Sequence, residues 1–231
     1  MKTLIRWTTC ESTKEGRRCL HTAVRSMKKL ISDADYVICH NNIPPHLRTT
    51  LPKIPLLSQD TCVNALPEPP KGPAWKLYPP RLRLNSHEIM LDNDLIIYKM
   101  PPLFNEFLES SNLIVVTEAY RRSYSGPLER LIPSGFNINS GVLCLPPGFD
   151  FKSRLEKEIN TYGLEWNDHF DEQTLVAYVL SQHKNVKIIP QSEIAVSAHY
   201  LNFGTHGCHF VGLNSTNLSY WRSCEYHQLF Y

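Results

Sequence analysis

Ser86-His87-Glu88-Ile89-Met90-Leu91-Asp92-Asn93-Asp94-Leu95-Ile96-Ile97-Tyr98 places two aspartates, one residue apart, between two runs that both read as buried β-strand. Strand interiors seldom hold charge, because taking an ionised carboxylate out of water costs several kcal/mol unless it is paired. Two carboxylates at a strand end therefore point to a divalent cation. Strict alternation sends Asp92 and Asp94 to one face, and a kink at Asn93 would let both converge on one ion from a loop. The competing reading is a polar turn between two hairpin strands, which Asn-Asp favours.

Upstream, Thr3 to Thr9 reads as a first strand, and Ser12-x-x-Glu15 supplies a capping-box signature for the helix that follows. Leu20, Ala23, Val24, Met27, Leu30 and Ile31 recur on one face of that helix, and Asp35 to His40 reads as a second strand. Strand, amphipathic helix, strand is a βαβ unit. It predicts an α/β fold with a mainly parallel sheet and a ligand crevice at the carboxyl ends of the strands, where Thr8, Thr9 and Cys10 would lie. From Asn41 to Pro80 the prolines exclude long regular elements, and the segment reads as a surface excursion ending in a short helix.

Downstream, Pro101 to Leu108 reads as a helix with proline in its first turn, and Asn112 to Thr117 as a strand. Glu118 to Pro133 carries turn residues without a period and reads as a flap, with Arg121, Arg122 and Tyr124 in it. Ser140 to Leu145 returns to strand. Phe151, Leu155, Ile159 and Tyr162 mark one helix, Leu175 to Leu180 another, and Val186 to Pro190 a late strand.

Composition narrows the partners. A chain of 231 residues, 42% hydrophobic and 20% charged, buries a sizeable core and suits one domain. Its net charge of +2 gives no bulk attraction to nucleic acid or anionic membrane, and leaves room only for a local basic groove. No apolar run is long enough to span a bilayer or serve as a signal peptide, so the chain reads as soluble and cytoplasmic. Its seven cysteines are scattered without a Cys-x-x-Cys pair, and reduced, buried thiols are expected.

Four stretches fall in one order: the strand ending in Asp92-Asn93-Asp94, then Phe136-Asn137-Ile138-Asn139-Ser140-Gly141-Val142-Leu143, then Asp171-Glu172-Gln173 opening a helix, then His209-Phe210-Val211-Gly212. In that order they resemble the GT-A glycosyltransferases, and within them glycosyltransferase family 8. The resemblance implies a single GT-A (Rossmann-like) α/β domain over 1–231, with a nucleotide-binding half at 1–100 and an acceptor half at 101–231 that carries the late histidine. It also implies a metal-dependent transfer from a nucleotide sugar, a uridine diphosphate sugar being favoured, to a hydroxyl acceptor. Two departures stand out. Gly212-Leu213-Asn214-Ser215 lacks the phosphate-binding lysine that family 8 places after its histidine, and the Asp-Gln pair of the family is here Glu172-Gln173 preceded by Asp171.

By the resemblance Asp94 and His209 bind the metal directly, and Asp92 reaches the metal or the donor's ribose. Mixed oxygen and nitrogen ligation suits Mn²⁺, with Mg²⁺ the alternative. Lys76 and Arg81, upstream of the aspartates, are candidates to hold donor phosphates in place of the missing lysine, and Arg83 is a weaker one. Asn139, Ser140 and Gly141 would line the donor sugar, with glycine permitting close approach. His206 would contact the diphosphate or turn the chain between Gly204 and Gly207; with Cys208 and His209 it lacks the second ligand pair of a zinc site. Asp171 is either a helix N-cap or catalytic. In an inverting reaction Asp171 or Glu172 would be the general base; in a retaining one, which family 8 favours, Gln173 and a phosphate oxygen would guide front-side attack. The rival readings are a sugar-phosphate nucleotidyltransferase, whose Gly-rich first loop is missing at Thr8 to Ser12, and a non-catalytic nucleotide or carbohydrate-binding module. Glycan, protein and modified nucleic acid all stay open as acceptors.

Overall fold

β1 (Thr3–Thr9), α1 (Lys14–Leu30) and β2 (Ala34–His40) form the expected βαβ unit, with β2 parallel to β1 and Thr9 aligned with His40. The structure is a computed structural model that describes residues 2–9, 13–41, 43–61, 72–119, 124–166, 169–196 and 203–211. Cys10, Ser12, Cys62, Arg121, Arg122, Gly212 to Ser215 and Cys224, all singled out in the sequence, lie outside the described residues. Thr13, rather than Ser12, caps α1: its side chain accepts a hydrogen bond from Gly16 N at 3.0 Å. Glu15 in the first turn and Lys28 and Lys29 in the last complement the helix dipole.

The proline-rich excursion holds α2 (Pro45–Arg48), β3 (Leu56–Ser58) and 3₁₀ turns at Gln59–Thr61 and Gly72–Leu77. β3 was not expected there; three residues at a sheet edge need few ladder bonds, so the prolines just before it do no harm. Then follow β4 (Glu88–Asp92), β5 (Leu95–Ile97), α3 (Pro102–Glu109), β6 (Ile114–Thr117), β7 (Asn139–Leu145), α4 (Phe151–Tyr162), α5 (His169–Ser181), β8 (Val186–Ile189), β9 (Ile194–Val196) and β10 (Gly207–His209). Seven strands form the central sheet in the order β3-β2-β1-β4-β7-β6-β8, and only β7 runs against its neighbours. A second sheet, β5-β10-β9, has three strands.

Strand alternation sorts two cores onto the two faces of the large sheet. Ile89, Leu91, Val115, Val142 and Cys144 pack with α1, α3 and the small sheet through Leu20, Met27, Phe104, Ile96 and Phe210. Met90, Ile114, Val116, Leu143 and Leu145 pack with α4 and α5 through Leu155, Leu175 and Val176. A period of two on strands and of 3.6 on helices makes both faces possible at once. The part of the expected flap that is described is packed: Tyr124, Leu128 and Ile132 are buried, and the Tyr124 hydroxyl donates to Phe136 O and accepts from Ile138 N at 3.1 and 3.0 Å.

Candidate active site

The two aspartates sit where the chain leaves one sheet for the other. β4 ends at Asp92, aligned with Thr8 of β1, and the turn at Asn93 and Asp94 hands the chain to β5 in the small sheet. The turn is real, but it joins two sheets and not the strands of a hairpin. Asn93 Nδ2 donates to Thr9 Oγ1 at 3.3 Å, which pins the turn to the end of β1. β10 pairs with β5 and places His209 opposite Leu95. One ligand atom each from Asp92, Asp94 and His209 lies within 4.8 Å of the others.

The imidazole is oriented from behind. Asn139 Oδ1 accepts from Gly141 N at 2.8 Å, which fixes the amide, and lies 3.0 Å from His209 Nδ1, so that nitrogen is the donor. Nε2 then faces Asp94 Oδ1 at 3.1 Å and Asp92 Oδ2 at 3.5 Å. Burial would lower the ring's pKa, but Asp94 and then Asp92 outweigh it and raise it above the ordinary histidine value. Two carboxylates and an imidazole aimed by a backing amide form a donor set that fits a divalent ion such as Mn²⁺. Gly141 makes room for this arrangement: a Cβ there would lie 2.6 Å from His209 Nδ1 and 2.8 Å from Asn139 Oδ1.

Behind Asp92 lies a buried charge network. Lys76 Nζ, on the 3₁₀ turn against which α5 packs, donates to both Asp92 carboxylate oxygens at 3.2 Å and to Ser140 Oγ at 2.9 Å, and pairs with Glu172 Oε2 at 3.3 Å. Burial alone would depress the Lys76 ammonium, but Asp92 and Glu172 together hold it above the usual lysine value. Burial pushes the Glu172 carboxyl up, further than Lys76 pulls it down. Gln173 Oε1 accepts from Asn139 Nδ2 at 3.3 Å, so the first turn of α5 is tied to the amide that orients His209.

Other expected residues are placed elsewhere. Arg81 spends its guanidinium on the carbonyls of Arg83, Phe149, Ser86 and Leu145 and pairs with Glu88 at 4.0 Å. Glu88 aligns with Leu4 and Asp92 with Thr8, four strand residues or about 13 Å apart, so Arg81 serves the opposite edge of the sheet. Arg83 pairs with Asp35 at that same edge. Asp171 is not an N-cap, because α5 begins two residues earlier; it lies in the first turn, where its Oδ1 accepts from Ser125 Oγ at 3.1 Å, away from Lys76. His206 meets Thr205 Oγ1 at 2.8 Å, three residues before His209. Cys208 points into the hydrophobic core on the other face of β10, which separates it from His209. Sequence reasoning passed over His40, buried and aligned with Thr9 at this edge, because nothing in its local pattern distinguishes it.

No family model matches the chain, and no curated protein sequence matches it. In three dimensions it is similar to the galactosyltransferase LgtC solved with donor and acceptor sugar analogs, with a TM-score of 0.60 at 12% identity over 98% of this chain and 94% of that one. It is also similar to mouse xyloside xylosyltransferase 1, with a TM-score of 0.57 at 11% identity over 92% and 98%. A glycosyltransferase involved in glycosylation of the major capsid of PBCV-1 gives 0.54 at 12% over 98% and 100%. The architecture is therefore the GT-A fold, as the order of the four motifs implied.

Proposed function

We propose that this chain is a metal-dependent glycosyltransferase that moves a sugar from a uridine diphosphate sugar to a hydroxyl acceptor, with retention at the anomeric carbon. The observation that carries the reading is the convergence of Asp92, Asp94 and His209 at the carboxyl edge of the sheet, beside the buried Lys76–Glu172 pair. Breaking the bond between anomeric carbon and diphosphate develops negative charge on the leaving group; Asp92, Asp94 and His209 would hold a divalent cation, which would supply positive charge to stabilise it. Asn139 orients His209 for that task.

Lys76 points its donors at Asp92, Ser140 and Glu172, so it holds the acidic residues in place, and a donor phosphate could reach it only by displacing one of them. Glu172, buried and engaged by Lys76, is poorly disposed to take a proton from an acceptor, and Asp171 faces Ser125. That disposition favours front-side attack guided by Gln173 over a general-base inversion. The donor half at 1–100 would supply Thr8, Thr9, Lys76, Asp92 and Asp94, and the half at 101–231 would supply Asn139, Ser140, Gly141, Glu172, Gln173 and His209.

Calorimetry with uridine diphosphate in the presence of Mn²⁺, Mg²⁺ or chelator, on the wild type and on Asp94→Ala, tests the reading. Binding that needs the metal and is lost in the variant supports it, and donor turnover should fall to background in the same variant. Undiminished turnover in Asp94→Ala, or no binding of any nucleoside diphosphate by the wild type, would sink it.

A further inference from the structure

The near-neutral charge of the chain conceals a one-sided distribution. α1 holds six of the 24 lysines and arginines and one of the 22 acidic residues, so the remainder of the chain carries a net charge of −3. Lys14, Arg17, Arg18, Arg25, Lys28 and Lys29 fall within about 120° of the helix circumference, opposite the buried Leu20, Ala23 and Met27. Five of the six are exposed and Arg17 is half-buried. The stripe runs for about 22 Å.

Two hollows extend it at its C-terminal end. Arg25, Lys28 and Lys29 line one of about 410 Å³ together with Lys53. Lys28 and Lys53 line a second of about 650 Å³, which Pro55 and the Arg83–Asp35 ion pair also border. Leu56 and Leu84, the chain neighbours of Pro55 and Arg83, are 38% and 47% exposed. Cations across one face with apolar side chains at its margin are the chemistry of a bilayer surface.

We propose that this face docks the protein on a bilayer that presents anionic lipid headgroups. A membrane suits it better than a nucleic acid strand: the stripe is the convex side of a helix, its one ring, His21, is tied to Thr50 O at 2.9 Å, and Tyr36 beside the second hollow lies under Lys28 with its hydroxyl donating to Met27 O. The hollows lie at the C-terminal end of α1, toward the edge of the sheet opposite Asp92, whereas Lys14 and Arg18 at the start of α1 follow the end of β1 that aligns with Asp92.

The test is sedimentation of the full chain with vesicles of phosphatidylcholine alone and of phosphatidylcholine mixed with phosphatidylserine. Binding is expected only to the mixed vesicles and should weaken as salt rises. Arg25→Gln/Lys28→Gln/Lys29→Gln should lower the partition coefficient about 100-fold, with circular dichroism confirming the fold. Lys14→Gln/Arg18→Gln provides a second variant on the same stripe, with a loss of about 10-fold or more expected. Lys152→Gln/Lys157→Gln/Lys184→Gln, on other elements, should change nothing. Equal binding to neutral vesicles, equal losses in the control variant, or retention on duplex DNA without vesicle binding would overturn the proposal.

Discussion

Gly141 shows how much of the site hangs on one missing methyl group. Its hydrogen is what lets the His209 ring lie against β7 while Asn139 Oδ1 bridges Gly141 N and His209 Nδ1. Gly141→Ala should therefore leave the sheet folded but push the imidazole off its backing amide, weakening Mn²⁺ affinity by about 10- to 100-fold. Titration of Mn²⁺ by calorimetry checks this; an unchanged affinity would mean that the ring has another acceptable seat. At this scale the sequence was half legible. Asn139-Ser140-Gly141 could be read as a close-approach motif, and Asp92, Asp94 and His209 as a ligand set, through the order of motifs. The partner that approaches Gly141 comes from 68 residues away, and no local pattern announces it. Likewise Lys76 and Arg81 look alike as cations upstream of the aspartates, and only the fold separates the one that reaches Asp92 from the one that caps carbonyls at the far edge.

β4 carries a different charged device at each end, and the two ends do different work. At its start Glu88 is wholly buried against Arg6 of β1, with Nε and Oε1 2.9 Å apart, and accepts from Leu82 N and Arg83 N at 3.0 and 2.9 Å. Removing one partner leaves the other charged and dry, so Glu88→Ala should cost about 3–5 kcal/mol. For a chain of this length the melting temperature should fall by on the order of 10 °C, and a drop of only a degree or two would show that Arg6 finds another partner. α4 gives a smaller, pH-dependent case. Asp150 caps it by accepting from Ser153 N at 3.0 Å and Ser153 Oγ at 2.7 Å, and these bonds hold its carboxyl below the ordinary value of 3.8. A depressed folded-state pKa means stability that is complete above the unfolded value, around pH 4, and lost as pH falls below it. Asp150→Ala should cost about 1 kcal/mol near pH 7, and almost nothing at pH 2, in parallel denaturant titrations. Elements with long periods, such as α1 and β1, were legible in the sequence. β5 was read as a strand but not as part of a second sheet, and β3, β9 and β10 were not read as strands, since three residues carry too little alternation to set their pairing. α5 is apolar on most of its circumference, which hid its start and led Asp171 to be read as its cap.

Across the whole molecule the candidate metal ligands come from both sheets. Asp92 ends a strand of the large sheet, whereas Asp94 leads into the small sheet and His209 belongs to it. The small sheet is built of three-residue strands and joins the large one through the turn at Asn93 and through the shared core around Ile96, Cys208 and Phe210. An ion shared by Asp92, Asp94 and His209 would add a direct tie between the two sheets, and it would bind the folded chain far better than the unfolded one, since His209 lies 115 residues from Asp94 in the sequence. Linkage then fixes the sign: Mn²⁺ at about 100 times its dissociation constant should stabilise the fold by about 2.7 kcal/mol. For a chain of this size that is a rise of roughly 5–10 °C in melting temperature, reversed by chelator. Asp94→Ala should show no rise, while Arg25→Gln, on the outer face of α1, should show the full one. Hydrogen exchange gives the spatial half of the test. Amides of β5 and β10 should slow on metal addition more than those of α4, which lies across the large sheet from them. Uniform slowing in all elements would reveal only global stabilisation, and an equal rise in Asp94→Ala would place the ion somewhere other than between the sheets.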